Sequence, residues 1–311
     1  MSGFIVRQPG LLTLIQDSGR FGTHNLGLTN GGPLDILAFN WANRLLGNVG
    51  NSSTLEISFG GLSLESYLDT AIVVTGAEIP IKINAEAIDQ WQTHSLKKGD
   101  TIELGYTTSG TRAYLAVAGG FNIAPSFGSS ATVVREKIGG LGGDKLKAGD
   151  HLPCDSHALS QHYRLADDDR PYYTDNAVLR VVLGYQQSAF DYIEQQRFFS
   201  SEYQVTDRSD RMGFRLEGEA IKSNLSGMLS EGICHGAIQI PADGQPIVLL
   251  NDRQTIGGYP KIGSVIPLDT AKLAQLSPGS TIRFESISPE HAHNLHWLAK
   301  SRFERTQPGR C

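Results

Sequence analysis

Long apolar runs, paired cysteines and a surplus of basic charge are all missing from this sequence. No apolar stretch approaches the ~20 residues of a membrane-spanning helix. The opening segment, Met1 to Arg20, has no basic stretch followed by an apolar one. The expectation is a soluble, unexported, cytoplasmic protein. With 27 Lys+Arg against 32 Asp+Glu, a net charge of -5 provides no face for a phosphate backbone or an anionic lipid surface. Nucleic acid and membrane are therefore not expected partners. Only three cysteines occur, Cys154, Cys234 and Cys311, with no CxxC pair and no finger-like ligand spacing. They read as buried apolar thiols in a reducing compartment, with no metal site. HExxH and GxSxG are absent as well.

What is abundant is glycine, 35 residues in 311, set between short β-branched runs such as Ala71-Ile72-Val73-Val74 and Tyr114-Leu115-Ala116-Val117. This is the texture of many short strands joined by tight turns. One phrase recurs three times: Leu96-Lys97-Lys98-Gly99-Asp100-Thr101, Leu146-Lys147-Ala148-Gly149-Asp150-His151 and Leu276-Ser277-Pro278-Gly279-Ser280-Thr281. Each reads as a turn whose glycine takes positive φ before an alternating strand. Helices are few. One is expected from Pro33 to Leu45, one from Ser188 burying Phe190 and Ile193, one over 268–276 and one after Pro289. The polar, aperiodic stretch 157–176 marks a boundary. The expected organisation is a β-rich domain over 1–160, a linker over 161–176 and a second β-rich domain over 177–311, with peripheral helices.

Two stretches do not read as ordinary scaffold. The first, Gln16-Asp17-Ser18-Gly19-Arg20 running on to Gly31-Gly32-Pro33-Leu34-Asp35, gathers glycines and charges in an aperiodic segment. Taken on spacing alone, an Asp17–Arg20 pair clipping a loop is the plainer account. The second, Asn251-Asp252-Arg253-Gln254-Thr255-Ile256-Gly257-Gly258-Tyr259-Pro260-Lys261, follows the apolar run 246–250. Here a carboxylate, a guanidinium, an amide, a hydroxyl and an ammonium arrive together at a strand end, with a tyrosine able to stack on a flat ligand. A cleft at the barrel edge is expected there. Gly139-Gly140-Leu141-Gly142-Gly143-Asp144-Lys145 misses the phosphate-loop spacing and reads as a flexible inter-strand turn. His291, His293 and His296 lie at helical spacings that do not converge on one metal.

The runs Pro9-Gly10-Leu11-Leu12-Thr13, Gln16-Asp17, Gly19-Arg20, Ala42-Asn43-Arg44-Leu45, Leu55-Glu56-Ile57, Ser209-Asp210-Arg211-Met212-Gly213-Phe214, Gly236-Ala237-Ile238-Gln239-Ile240-Pro241 and the 252–261 block resemble the allophanate hydrolase subunit 2 family, also described as KipA-like or biotin-dependent carboxyltransferase family proteins. The resemblance implies a cyclophilin-like β-barrel in the C-terminal half and a functional cleft shared with a first-subunit, KipI-like partner. Onto family signature positions fall Gln16, Asp17, Arg20, Asp35, Asp252, Arg253, Gln254, Thr255 and Tyr259. Where many relatives read Gly-Ser-Arg-Ser-Thr, this chain has Gly128-Ser129-Ser130-Ala131-Thr132, so a guanidinium is lost.

Family members act as the C subunit of ATP-dependent 5-oxoprolinase, as half of the carboxyltransferase of urea carboxylase, or as antagonists of a histidine-kinase inhibitor. The first implies a small cyclic amide substrate, ATP bound within the assembly, and a LamB/YcsF-type protein as a further partner. Asp252, Arg253 and Lys261 are then the expected catalytic groups, and Gln239, Gln254, Thr255 and Tyr259 the substrate-binding ones. Gln16, Asp17, Arg20, Asp35 and Arg44 are expected to line the cleft or the partner surface. Phosphorylating a lactam oxygen needs cations, from Arg253 and Lys261, and orienting water needs a carboxylate, Asp252. For carboxyl transfer the biotin has to come in trans. None of Met1, Met212 and Met228 adjoins a lysine, as the carrier motif requires.

Overall fold

The computed structural model describes residues 2–225 and 228–311. Strand makes up 34% of the chain and helix 18%, the mostly β architecture the turn-rich sequence implied. Contacts divide the chain into two compact units. The first comprises Met1–Gly22, Asn30–Tyr173 and Thr306–Cys311, and the second Thr23–Thr29 and Thr174–Arg305. The C-terminal end thus belongs with the first unit, where Gly309–Arg310 pair with Tyr163–Arg164.

In the first unit two antiparallel sheets face each other. One runs in the order His151–Leu152, Phe4–Pro9, Leu62–Ser66, Thr101–Leu104, Ile81–Ile83, Glu86–Ile88, and the other Leu12–Gln16, Thr54–Ser58, Ser109–Val117, Thr70–Glu78, Thr93–Leu96. Phe4, Ile57, Leu64, Ile72, Ile102 and Leu115 are fully buried between them. Burying each such side chain contributes about 1.5–3 kcal/mol. Thr54–Ser58 is buried at every position rather than at alternate ones, and a helix packs on Thr70–Glu78 and Ser109–Val117 of the same sheet. That helix, α1, spans Ile36–Leu45, and the Thr75 hydroxyl donates to its Ala38 carbonyl at 2.7 Å. It starts three residues later than Pro33. The cap is Asp35, whose carboxylate accepts from the Leu37 and Ala38 N–H groups, both at 3.1 Å.

The three recurring turns share one hydrogen-bond scheme. Gly99, Gly149 and Gly279 have φ of +94°, +89° and +90°. Each glycine N–H donates to one residue of a neighbouring strand, and that residue's N–H donates to the carbonyl just after the glycine. The partners are Ser66 (2.7 and 2.9 Å), Val6 (2.8 and 2.9 Å) and Val205 (2.8 and 2.9 Å). Asp100 and Asp150 accept from the N–H groups of Lys97 and Lys147, both at 2.7 Å.

In the second unit the strands close into a seven-stranded barrel, in the order Asn176–Leu183, Lys261–Val265, Ala237–Gln239, Ile247–Leu249, Gly213–Gly218, Glu202–Val205, Thr281–Ser286. Closure comes from the parallel pairing of Asn176–Leu183 with Thr281–Ser286. Helix α2 spans Tyr192–Ser200 and is capped by Asp191, with a separate 3-10 turn at Gln187–Ala189. Phe190 is buried as expected, but Ile193 is 65% exposed. Phe198 packs in its stead, stacked on Phe284 at 4.4 Å between ring centroids. Helix α3, Pro267–Leu273, brings a fully buried Asp269 against Arg180, which clasps it through Nε and Nη2 at 2.7 Å each. Burial alone raises the Asp269 pKa, yet hydrogen bonds from Arg180 and Lys272 outweigh it and hold the carboxyl below its ordinary range. Helix α4, Pro289–Arg305, has no buried residue. His293 accepts from the Trp297 indole at 2.7 Å, and no metal-suited cluster exists among the described residues. Nor is any described helix long and apolar enough to cross a membrane.

Candidate functional site

On the barrel, strand register decides which side chains meet. Gln239 lies opposite Ile247 on one side and Lys261 on the other, and Ala237 lies opposite Ser264. Directly paired residues share a face, so Ala237, Gln239, Ile247, Lys261 and Ser264 look the same way. Ile233, Ala237, Ile247 and Leu249 form an apolar cluster there. Across this face runs a two-residue ladder of Glu231–Gly232 with Ile256–Gly257. The 251–261 block is thereby folded back over the barrel wall from which it emerges.

Lys261 is buried, and its ammonium is paired with Glu231. Its own N–H donates to Gln186 Oε1 at 2.8 Å, while Gln186 Nε2 donates to Glu231 at 2.5 Å and to the Tyr185 hydroxyl at 3.1 Å. The Lys261 and Tyr185 hydrogen bonds hold the Glu231 carboxyl below its usual range, and Glu231 in turn raises the Tyr185 pKa. Gln239 is 1% exposed, and its Nε2 has no hydrogen-bond partner among the described residues. Leaving such a group unpaired costs about 1–3 kcal/mol. A Cβ placed on Gly257 would lie 3.0 Å from that nitrogen and 3.6 Å from Gln254 Nε2, so both amides border one glycine. Thr255 offers its carbonyl to the Ile233 N–H at 3.0 Å. Tyr259 is 49% exposed.

Asp252 and Arg253 are held differently. Both Asp252 oxygens are gripped by Arg211, through Nε at 2.9 Å and Nη2 at 3.0 Å, in a buried pair. A carboxylate so engaged positions the loop and does not stand open to orient water. Arg253 is also buried, and its guanidinium donates to the Ile233 carbonyl at 3.1 Å and the Leu250 carbonyl at 3.2 Å. Burial lowers its pKa. Beside it, half-buried His235 donates from Nε2 to Asn251 Oδ1 at 3.0 Å. Burial first, then the Arg253 charge, pushes the His235 pKa down to about 4.

The N-terminal motif is scaffold of the first unit. Gln16 spans from the Thr132 carbonyl (3.0 Å) to the Gly32 N–H (2.9 Å). Asp17 accepts from the Gly19 N–H at 2.9 Å, the Ser129 hydroxyl at 2.5 Å and the Ser130 N–H at 2.7 Å. Arg20, 1% exposed, donates to the Ala131 carbonyl at 2.6 Å, so Asp17 and Arg20 together lace the loop onto residues 129–131. Asp35 caps α1 and accepts from the Tyr173 hydroxyl at 2.7 Å. Gln16, Asp17, Arg20 and Asp35 are therefore buried with partners inside the unit and line no open surface. Arg44 lies over the Trp41 ring at 4.9 Å and donates to the Thr306 carbonyl at 2.7 Å. At the departure from the family pattern, the buried Ser130 hydroxyl meets Ser53 at 2.7 Å. The 139–145 run is likewise packed. A Cβ on Gly139 would lie 2.0 Å from the Ala131 carbonyl oxygen, and one on Gly143 2.0 Å from Lys137. Of the cysteines, only Cys154 is buried, its thiol pushed up to about 12 by burial, whereas Cys234 and Cys311 are exposed.

Sequence reasoning missed Glu231, Gln186, Tyr185 and His235. None sits in a spaced motif, and they join the 251–261 block only through pairing and hydrogen bonds between segments distant in the chain. Arg211 was visible as a motif residue, but nothing in the sequence tied it to Asp252. A separate cavity of about 520 Å³ in the first unit, bordered by Trp91, Arg170 and Tyr172 among others, contains none of the residues expected to act.

The second unit is thus a closed barrel whose apolar and amide-bearing wall, with the paired Lys261 ammonium, is covered by a segment that holds a buried guanidinium. The chain belongs to the carboxyltransferase domain family, subdomains A and B, whose pattern it matches over residues 26–286. It is 37% identical to the C subunit of 5-oxoprolinase from Escherichia coli over 289 residues, 91% of each chain, and 36% identical to that of Haemophilus influenzae over 90% of each. With urea amidolyase of Saccharomyces cerevisiae it shares 30% identity over 92% of this chain but 17% of the relative. The crystal structure of the K. lactis urea amidolyase superposes with a TM-score of 0.91 at 28% identity, over 99% of this chain and 20% of that one.

Proposed function

We propose that the chain is the C subunit of an ATP-dependent 5-oxoprolinase, which with its partner subunits opens 5-oxo-L-proline to L-glutamate in the cytoplasm. The observation that carries this reading is the span of the likeness. The 5-oxoprolinase subunits match along about nine-tenths of both lengths, whereas the urea amidolyases match over less than a fifth of theirs. The partners are a first-subunit homologue and a LamB/YcsF-type protein, and ATP binds within the assembly.

A lactam carbonyl is a weak electrophile, and phosphorylating its oxygen makes attack by water feasible. Arg253 and Lys261 supply positive charge beside the reacting group in a water-poor setting, where it acts strongly. The carboxylate that orients water is Glu231, which is partly exposed, in place of Asp252, which Arg211 occupies. Gln239, Gln254, Thr255 and Tyr259 surround the ring. The urea amidolyase likeness supports a second reading, carboxyl transfer with biotin delivered in trans.

The test is reconstitution. The purified chain alone should release negligible glutamate from 5-oxoproline and ATP, with turnover appearing once both partner proteins are added. Full turnover by the chain alone, or carboxylation of urea in place of lactam opening, would overturn the oxoprolinase assignment. In the active assembly Arg253→Ala should lower kcat/KM more than tenfold, equivalent to ~1.4 kcal/mol of transition-state stabilisation.

A further inference from the structure

Gln239 presents a problem of physical chemistry that the fold alone does not solve. A side-chain amide 1% exposed, with a buried nitrogen lacking any acceptor among the described residues, is rare in native proteins and calls for an outside partner. Its neighbours point to the same need. Lys261 lies opposite it in the strand register, and Gln254 Nε2 approaches the same glycine, Gly257. Because Gly257 has no side chain, nothing wedges between the amide and the loop above it. A Cβ there would fall 2.6 Å from Ile233 Cδ1 and 3.0 Å from the Gln239 nitrogen. The cover is the two-residue ladder of Glu231–Gly232 with Ile256–Gly257, too short to hold firmly without its flanking contacts.

A primary carboxamide carries a C=O and an N–H side by side. Its edge-to-edge complement is another amide with both groups on one side, which a ring enforces and an ordinary trans peptide does not. We propose that the Gln239 carboxamide determines specificity by pairing with the cis-amide edge of the substrate, the adjacent N–H and C=O of a lactam or ureido group. The pairing closes a ring of two hydrogen bonds and satisfies the buried nitrogen. Its first-named substrate, 5-oxoproline, rests on the oxoprolinase reading; the amide edge itself is shared by urea-type ligands. Trans amides and N-alkylated lactams lack the matching edge and are rejected, since they would leave a buried polar group unpaired.

Gln239→Met keeps the length and removes donor and acceptor together, which separates this role from a structural one. In the isolated chain its melting temperature should stay equal or rise, because an unsatisfied amide has been removed. In the reconstituted assembly the same variant should lose at least tenfold in kcat/KM for 5-oxoproline. N-methyl-5-oxoproline should compete at least tenfold more weakly than 5-oxoproline against the wild-type assembly. Retained kcat/KM, a lowered melting temperature, or equal competition by the N-methyl lactam each overturns the proposal. If the wild-type assembly leaves 5-oxoproline untouched, the oxoprolinase reading fails by itself. Saturation-transfer NMR of the wild-type chain and Gln239→Met with urea and ethyleneurea then decides the Gln239 role: signals lost in the variant support it, and signals equal or absent in both overturn it.

Discussion

Asp252 and Arg253 of the 251–261 block, and His235 beside them, differ in what their burial does. Asp252 faces Arg211 in a buried bidentate pair, and taking away one partner of such a pair leaves the other charge uncompensated. Arg211→Ala should therefore lower stability by about 3–5 kcal/mol in denaturant unfolding, with the double replacement Arg211→Met/Asp252→Leu losing much less. A full loss in the double variant would show that the pair contributes more than mutual neutralisation. Arg253, bonded to two carbonyls, orders the loop as well as charging it, so Arg253→Ala will also lower the melting temperature. His235 responds to pH. Its folded-state pKa is depressed to about 4 from an unfolded value of about 6.5, so the unfolded chain takes up the proton first. The stability it contributes is present above pH ~6.5 and is lost as pH falls toward 4. Between pH 7 and 4.5 the wild type should lose more stability than His235→Gln, and parallel pH curves for the two would refute that role.

At the level of elements, turns and caps carry much of the specification. The three glycine turns are readable because a positive φ and a strand-pairing carbonyl fall at fixed offsets in each. For helix α1 the sequence pattern gives the right kind of element but not its start, since the Asp35 carboxylate accepts from the open N–H groups of Leu37 and Ala38 and so begins the helix at Ile36. The 139–145 run shows the opposite outcome. Its composition suggests an unconstrained turn, yet Gly139, Gly140 and Gly143 pack closely against residues 131–138. Gly139→Ala should destabilise the chain by well over the ~1–2 kcal/mol of a left-handed conformation alone, because its Cβ meets a backbone oxygen. Gly142→Ala, with open space around it, should cost only the conformational part. Equal losses in the two variants would remove the packing argument.

For the whole molecule, the barrel site is fringed by exposed apolar groups: Tyr185 at 75%, Leu229 at 92%, Ile256 at 60% and Tyr259 at 49%. Tyr185 hydrogen-bonds Glu231 and Ile256 pairs with Gly232, so apolar surface adjoins the Glu231–Lys261 pair, as at the surfaces where two proteins meet. Hydroxyl-radical footprinting should find Tyr185 and Tyr259 reactive in the isolated chain and protected in the assembly. Unchanged reactivity would move the partner surface elsewhere. The N-terminal motif is not expected to respond, because Gln16, Asp17, Arg20 and Asp35 are buried in the chain itself.

By itself the sequence determined the β-rich class, the strands, the three turns and the crowding of polar groups at 251–261. Those are local properties, set by side-chain alternation, glycine conformation and residues adjacent in the chain. Tertiary structure alone decided which charges are spent and which stay poised. Asp17 and Arg20 look like site residues until residues 129–131 come to meet them, and Asp252 looks catalytic until Arg211 takes both its oxygens. Glu231 becomes part of the site only through its ladder with Ile256–Gly257, and Gln186 only because Asn176–Leu183 pairs with Lys261–Val265. A hydrogen bond forms between groups about 3 Å apart in space, and separation along the chain does not encode that distance.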